Sequence, residues 1–204
     1  AQTTATDYTA NDCSETSHNL FSELDAGKVV VIAWVMPCGS CTGPSKTAYN
    51  VAKSYESSNP GRVLFYLVDD EANTNCTSLN SWGKTNVGAD ISATFSSSSI
   101  KMTDYGSPGM PKIVVLGGSS HTVFFNENFS DAGNSAAIQN AINQALAAPI
   151  GIEDIRNDIA VFSIYQDPVN KNTSVSYALK EATTVKIEIY NVLGKKLRQS
   201  FSER

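Results

Sequence analysis

Two cysteines three positions apart form the most reactive pattern in this sequence. Cys38 and Cys41 enclose a Gly-Ser dipeptide and closely follow the apolar run Val29–Val35, which predicts a strand buried on both faces. Residues 45–57 predict a helix, so the cysteine pair lies where a helix begins. Unpaired backbone N–H groups and the positive end of the helix dipole favour a thiolate there. The pattern predicts thiol–disulfide exchange, with Cys38 as the activated cysteine.

Metal binding is an alternative for the same stretch. Met36, Cys38 and Cys41 carry sulfur atoms, which are soft ligands that suit Cu(I). Neither His18 nor His121 falls in a motif that would connect it to these sulfur atoms. We therefore expect no metal and no cofactor at this site.

Strand and helix patterns alternate through the first three quarters of the chain, which predicts an α/β fold with a parallel strand pair. The predicted elements are an extended or loose lead-in at 1–12, a helix at 14–26, strands at 29–35 and 62–68, a helix around 79–87, a hairpin of strands 112–116 and 122–125, and a helix at 134–148. The serine-rich stretch 91–105 predicts an inserted loop beside the active-site face, where substrate preference would be set. Asp69, Asp70 and Glu71 resemble a metal cluster, but an acidic turn that caps the next helix is favoured.

Four cysteines allow three pairings. Cys38 and Cys41 are near enough in sequence to pair with each other, which leaves Cys13 and Cys76 for a second, structural disulfide. Such a bridge would indicate an oxidising compartment. The alternative, in which Cys13 and Cys76 are two separate free thiols, remains open from the sequence.

The composition limits the classes of partner. The net charge of −5 and the lack of a basic cluster argue against nucleic acid. Only 17% of the residues are charged, while Ser, Thr and Asn are abundant, as is common in exported proteins. No stretch reaches the length of a transmembrane helix. Because the first residues are polar, we expect that an export signal has been removed or was never included.

A second motif strengthens the interpretation of the cysteine pair. The run at 107–111, Ser-Pro-Gly-Met-Pro, precedes a strand and, together with the cysteine pair, resembles the thioredoxin superfamily. The resemblance implies a central mixed sheet with flanking helices, and a cis Pro111 in a loop that faces the cysteines. It also implies that the Met110 backbone binds an extended substrate, and that Trp34 and Pro37 lie at substrate-facing positions before the first cysteine.

Three departures from that superfamily bear on activity. Ile32 stands where many thioredoxins carry a buried acid, and no lysine in 62–68 could pair with such an acid. Pro37 replaces a tryptophan, and Pro44 lies closer to Cys41 than is typical. Without the acid, proton removal from Cys41 loses its general base, which favours oxidation or isomerisation over reduction.

The sequence pattern changes from α/β to all-β after Pro149. Short alternating strands are predicted at 161–165, 174–179, 185–190 and 196–201. This part resembles the type A C-terminal sorting domain of the bacterial type IX secretion system, with Gln166-Asp167-Pro168 in place of Pro-Asn-Pro and a well-matched turn at 190–195. Because that family continues for further strands, we expect a truncated module with an unpaired edge. The resulting domains are 1–149, thioredoxin-like, and 150–204, a partial sorting domain.

Two functions fit these observations. The first is a thiol–disulfide oxidoreductase, secreted or on the cell surface of a Gram-negative bacterium, with Cys38 attacking protein disulfides and Cys41 resolving the mixed disulfide. Its partners would be protein thiols and disulfides, together with the type IX machinery. The second is an exported binding protein on the same scaffold, in which the Cys38–Cys41 bridge is only structural.

Overall fold

A computed structural model describes residues 2–149, 159–166, 173–179, 185–190 and 196–202. The chain divides into two compact units, Ala1–Glu153 and Asp154–Arg204. The strands of the first unit are β1 (Thr9–Asn11), β2 (Ser17–Asn19), β3 (Val29–Val35), β4 (Val63–Asp69), β5 (Ala93–Phe95), β6 (Lys112–Gly117) and β7 (Thr122–Asn128). Its helices are α1 (Leu20–Asp25), α2 (Gly39–Lys53), α3 (Cys76–Asn86) and α4 (Ser135–Ala147).

Five strands form one mixed sheet in the order β5-β4-β3-β6-β7. The central strand β3 runs parallel to β4 and antiparallel to β6. All seven of its residues are buried, because helices or loops cover both faces of the sheet. The predicted strand 29–35, the parallel pair with the next strand and the hairpin of β6 and β7 are confirmed. So is the fold class, a central mixed sheet with flanking helices.

Alternate side chains of β3 enter two separate cores. The first core contains Val29, Val31, Ala33 and Val35, and it also contains residues of α2, α3 and α4. The second core, on the opposite face, contains the intervening residues of β3 together with α1 and the N-terminal segment. The period of two along an extended strand is the reason for this division.

The lead-in at 1–12, predicted to be extended or loose, contains an extended strand and packs on the core. Residues Thr9–Asn11 form β1, and Ala5, Tyr8 and Ala10 are buried in the second core. The Ala5 N–H also donates to the His121 carbonyl at 2.7 Å. This segment covers a sheet face that would otherwise be open, a contact that no local sequence pattern encodes.

The predicted helix at 14–26 is only partly correct. Residues Ser17–Asn19 form β2, which pairs antiparallel with β1, and the helix α1 occupies Leu20–Asp25 alone. The Asp12 carboxylate accepts hydrogen bonds from the N–H groups of Ser14 and Thr16, which closes the turn between β1 and β2. The Asn19 side chain then caps α1 by accepting from the Ser22 N–H.

The predicted inserted loop at 91–105 also needs correction. It contains β5, an edge strand parallel to β4, and a 3₁₀ turn at Met102–Tyr105. Phe95, Ile100 and Tyr105 are buried in the second core, which lies on the sheet face opposite α2. This stretch completes the sheet and its core, because its apolar residues face inward between the exposed serines.

The acidic turn after β4 has a structural role that differs from the expected one. Asp69 is buried, and its Oδ2 accepts hydrogen bonds from the N–H groups of Asn73 and Thr74. The cap of α3 is Asn75, whose side chain accepts from the Ser78 N–H. The carboxylate therefore orders the loop before α3 and leaves the capping of the helix to an asparagine.

Cys13 and Cys76 form the disulfide that the sequence predicts, with Cα atoms 5.3 Å apart. The bond joins the turn after β1 to the first residue of α3, across a sequence separation of 63 residues. Closing a loop of this length stabilises the folded chain by about 4 kcal/mol on the chain-entropy model. It attaches the N-terminal segment to the rest of the first unit.

The second unit contains two antiparallel strand pairs. β8 (Ile159–Gln166) pairs with β9 (Thr173–Leu179), and β10 (Val185–Tyr190) pairs with β11 (Lys196–Ser202). The four predicted strands are thus observed. Asp167 and Pro168 of the partial Pro-Asn-Pro match, and the turn residues 191–195, lie outside the described residues.

Candidate functional site

The helix α2 begins immediately after Cys38, six residues earlier than the sequence predicts. Cys38 is its N-cap residue, with an extended backbone, and Gly39 is its first helical residue. Pro44 lies inside the helix, where it removes the hydrogen bond to the Ser40 carbonyl. That proline made the earlier start hard to detect, yet one lost bond near a helix end is tolerated.

The two thiols of the pair differ in exposure although they lie next to each other. The Sγ atoms of Cys38 and Cys41 are 3.3 Å apart, and both thiols are free. Cys38 is partly exposed, whereas Cys41 is fully buried in the first core. A substrate disulfide at the surface can therefore reach Cys38 first.

The pKa values of the two thiols are shifted in opposite directions. The Ser40 hydroxyl, 3.1 Å from Cys38 Sγ, lowers the pKa of Cys38 below its ordinary value of 9.0. Burial, followed by the hydrogen bond with Cys38, raises the pKa of Cys41 to about 11. Of the two thiols, Cys38 therefore loses its proton at the lower pH, and the buried Cys41 thiol can then donate a hydrogen bond to the exposed sulfur.

The loop at 107–111 lies at the same edge of the sheet as the cysteines. The Met110–Pro111 peptide bond is cis, as the resemblance to the thioredoxin superfamily implies. Trp34 at the end of β3 pairs with Lys112 at the start of β6, so the residues after β3 and before β6 meet at this edge. Met110 and Cys38 are both partly buried against the first core.

Trp34 does not have the substrate-facing position implied for it. Its side chain has no exposed surface, and its Nε1–H donates to the Ile100 carbonyl at 3.1 Å within the second core. Because β3 alternates between the two faces, this ring points away from the core that holds Cys41. Trp34 supports the strand before the cysteines, while Pro37, directly before Cys38, is partly exposed.

Ile32, the position at which many thioredoxins carry a buried acid, faces away from Cys41. Ile32 is fully buried in the second core, whereas Cys41 lies in the first core on the opposite face of the sheet. A carboxylate in place of Ile32 would point away from the buried thiol. The structure therefore gives a geometric reason why this chain can carry an aliphatic residue there.

Ser40 is the site residue that the sequence analysis missed. A hydroxyl two positions after a cysteine in the first turn of a helix can reach back to that cysteine. This spacing was visible in the sequence, but only the observed helix start at Gly39 brings Ser40 into the first turn.

The residues considered for metal binding have other partners. Among the residues that the structure describes, no group of three or more His, Cys, Asp or Glu side chains is arranged to hold a metal ion. His18 contacts the carboxylates of Asp12 and Glu23, and the His121 Nε2 lies 2.9 Å from Asp25 Oδ1. Within the same described part of the chain, every helix is too short or too polar to cross a membrane.

Comparisons with known proteins bear on the fold. No protein-family model and no curated protein matches the sequence. A thiol:disulfide interchange protein of the thioredoxin family from Chlorobium tepidum superposes with a TM-score of 0.51 at 17% identity, over 72% of this chain and 98% of the other. A candidate protein disulfide isomerase from Bacteroides thetaiotaomicron gives 0.54 at 14% identity, over 71% and 88%. A candidate thioredoxin from Neisseria meningitidis gives 0.55 at 14% identity, over 72% and 92%.

The similarity to these structures covers about 70% of this chain, close to the share held by the first unit. It agrees with the strand order, the cis Met110–Pro111 bond and the cysteine pair at the start of α2. At identities this low, a structural likeness establishes the fold and leaves the activity to be argued from the site. The chain has a thioredoxin-like fold.

Proposed function

We propose that this protein is a thiol–disulfide oxidoreductase that acts outside the cytoplasm on protein disulfides through Cys38 and Cys41. One observation carries the proposal: two free thiols 3.3 Å apart have pKa values shifted in opposite directions. The exposed thiol at the helix N-terminus suits a nucleophile, and the buried thiol suits a reserve donor for the second step.

The reaction balances without any cofactor. The Cys38 thiolate attacks one sulfur of a substrate disulfide, forms a mixed disulfide and releases the other substrate sulfur as a thiolate. Cys41 then loses its proton to solvent or to the released thiolate, attacks the Cys38 sulfur and frees the second substrate thiol. The substrate gains two electrons, and the enzyme dithiol becomes the Cys38–Cys41 disulfide.

The raised pKa of Cys41 bears on the direction of exchange. With a pKa of about 11, Cys41 is almost entirely protonated at neutral pH. Resolution of the mixed disulfide is therefore slow relative to its formation. A long-lived mixed disulfide favours isomerisation of substrate disulfides, and an oxidised pair donates its disulfide through the same steps in reverse.

The substrate is proposed to bind as an extended polypeptide beside Cys38. The proposal is supported by the register of β3 and β6, which brings the segments that contain Cys38 and Met110 to the same end of the sheet. An extended segment can form strand-like hydrogen bonds to the Met110 backbone, while its cysteine reaches the exposed thiol.

The location is supported by the second pair of cysteines. The Cys13–Cys76 disulfide is typical of an oxidising compartment. The resemblance of residues 150–204 to a type IX sorting domain motivates export to the cell surface of a Gram-negative bacterium. Removing residues 150–204 in a type IX-competent host should then retain the protein in the periplasm, whereas unchanged export would contradict the sorting role.

Titration of the Cys38–Cys41 pair against glutathione tests the redox proposal. We expect a reduction potential above about −300 mV, where glutathione buffers can exchange with the pair. The two cysteine pairs are followed separately by alkylation and peptide mass mapping, so that Cys13–Cys76 does not contribute to the measured value. A potential below about −300 mV would identify a structural bridge and favour the exported binding protein instead.

A further inference from the structure

Phe129 has two unfavourable features that the fold does not explain. It follows the last residue of β7, and 59% of its surface is exposed. Its backbone φ is +55°, a left-handed conformation that bulky side chains rarely adopt. The ring belongs to neither core, so it contributes little to the hydrophobic burial that stabilises the chain. Strained residues of this kind are often retained for a function.

Close contacts hold Phe129 against the proposed substrate loop. Its N–H donates to the Pro111 carbonyl at 2.9 Å. Its ring lies directly over Gly109, since a Cβ atom added at Gly109 would come within 2.7 Å of the ring Cζ. Glycine at 109 therefore leaves the space that the ring occupies. The ring is held at a defined place beside the residues proposed to bind substrate.

A second exposed apolar side chain lies at the same sheet edge. Among the described residues, Met36 and Phe129 are the large apolar side chains with high exposure, at 50% and 59%. Met36 stands two positions before Cys38, and Phe129 packs on the loop that meets this segment through the pairing of Trp34 with Lys112. Two large apolar surfaces thus accompany one reactive thiol, although such side chains are otherwise buried in this part of the chain.

The surface next to Phe129 is polar. A groove of about 500 Å³ borders the ring and is lined by Lys112, Asn126 and Asn128 among others. The Lys112 ammonium group donates to Asn128 Oδ1 at 2.9 Å, so this wall is occupied by hydrogen-bonded polar groups. The Phe129 ring is therefore bordered by polar groups on that side, and a single exposed ring suits a single side chain of a bound polypeptide.

We propose that Phe129 is a specificity residue that receives an aromatic or large aliphatic side chain flanking the reactive cysteine of a polypeptide substrate. The inference rests on the proposed function, because the mixed disulfide with Cys38 is what brings the polypeptide to this edge. Met36 provides a second apolar contact on the side of the thiol. Stacking on a fixed aromatic ring adds affinity without requiring a deep pocket.

The test compares two disulfide-bonded peptides that differ at one position next to the cysteine, Phe in one and Gly in the other. For the wild type we expect kcat/KM to be higher for the Phe peptide. Phe129→Asn should reduce that preference about tenfold, mainly through KM, because an aromatic contact of ordinary strength is lost. Asparagine tolerates a left-handed backbone, so the thermal midpoint should not fall.

Matched controls isolate the ring. Glu15→Asn makes the same type of replacement at another exposed residue with a positive φ, +63°, and should leave the preference unchanged. Hydroxyethyl disulfide, which has no side chain to place on Phe129, should be reduced at equal rates by the wild type and Phe129→Asn. Phe129→Gly, also compatible with the backbone, serves as a second variant if the asparagine protein does not fold.

The outcomes separate the two proposals. The role of Phe129 would be overturned if the wild type turned over both peptides with equal kcat/KM. It would also be overturned if Phe129→Asn and Phe129→Gly kept the wild-type preference. Either result would leave the redox function standing. No turnover of either peptide or of hydroxyethyl disulfide by the wild type would defeat the proposed function, and the role of Phe129 with it.

Discussion

Replacing Cys38 with serine should reduce the turnover of insulin disulfides to the rate of the chemical reductant alone. Cys38 is the exposed thiol of the pair and has a lowered pKa, whereas a serine hydroxyl does not attack sulfur at neutral pH. The buried Cys41, with a pKa of about 11, cannot take over the attack. Precipitation of the insulin B chain in the presence of dithiothreitol measures this loss directly.

Cys41→Ser is the matched variant, incubated with insulin in the absence of dithiothreitol. It keeps the nucleophile but removes the group that resolves the mixed disulfide, so a covalent complex with substrate should accumulate. Non-reducing electrophoresis would detect it, and Cys38→Ser should form none. Both variants should keep the wild-type circular dichroism, since Cys13 and Cys76 are unaffected. Turnover by Cys38→Ser at the wild-type rate would refute the assignment of the nucleophile.

Iodoacetamide should label Cys38 at least about tenfold faster than Cys41 in the reduced protein at mildly acidic pH. The pKa of Cys38 lies below 9.0 and that of Cys41 is about 11, so their thiolate fractions differ by about a hundredfold or more. The lower basicity of the Cys38 thiolate offsets about a factor of ten of this ratio. Burial of Cys41 then acts in favour of Cys38. Peptide mass mapping after short labelling times gives both rates.

The pH dependence of labelling has a defined sign. A lowered pKa means that the labelling rate of Cys38 rises with pH at lower values than for a free cysteine, and levels off earlier. Ser40→Ala removes the hydroxyl that lies 3.1 Å from the sulfur, so its profile should move to higher pH. Ser40→Thr keeps a hydroxyl and should move it less. Faster labelling of Cys41 than of Cys38 in the wild-type protein would overturn the assignment of Cys38 as the nucleophile.

The redox site and the proposed Phe129 contact depend on different parts of the fold. The cysteine pair needs a helix N-terminus and a strand to hold it, and every residue of that strand, β3, is buried. Phe129 needs only a short turn after β7 and a glycine opposite its ring. Substrate preference can therefore change through the turn without altering the thiol chemistry.

Local patterns in the sequence were sufficient to predict several of the helices and strands. The apolar run Val29–Val35, the hairpin of β6 and β7 and the helix α4 follow from periods and turn residues within about fifteen positions. The position of the cysteine pair between a strand and a helix also follows from local patterns, whereas the cis Met110–Pro111 bond was expected from the resemblance to the thioredoxin superfamily. The elements found by local patterns depend mainly on residues that are close in sequence, so they can be predicted from the sequence.

Contacts between distant segments were decided only in the tertiary structure. The N-terminal segment, β5 and the 3₁₀ turn at Met102–Tyr105 carry weak local signals, and they are ordered because they cover or extend a sheet formed by other residues. Tertiary packing also determined the face of the sheet on which Trp34 lies and the difference between the pKa values of the two thiols. It also left Phe129 outside both cores. Periodicity specifies the elements that place the thiols, whereas exposure and hydrogen bonding, which depend on packing, determine how those thiols can react.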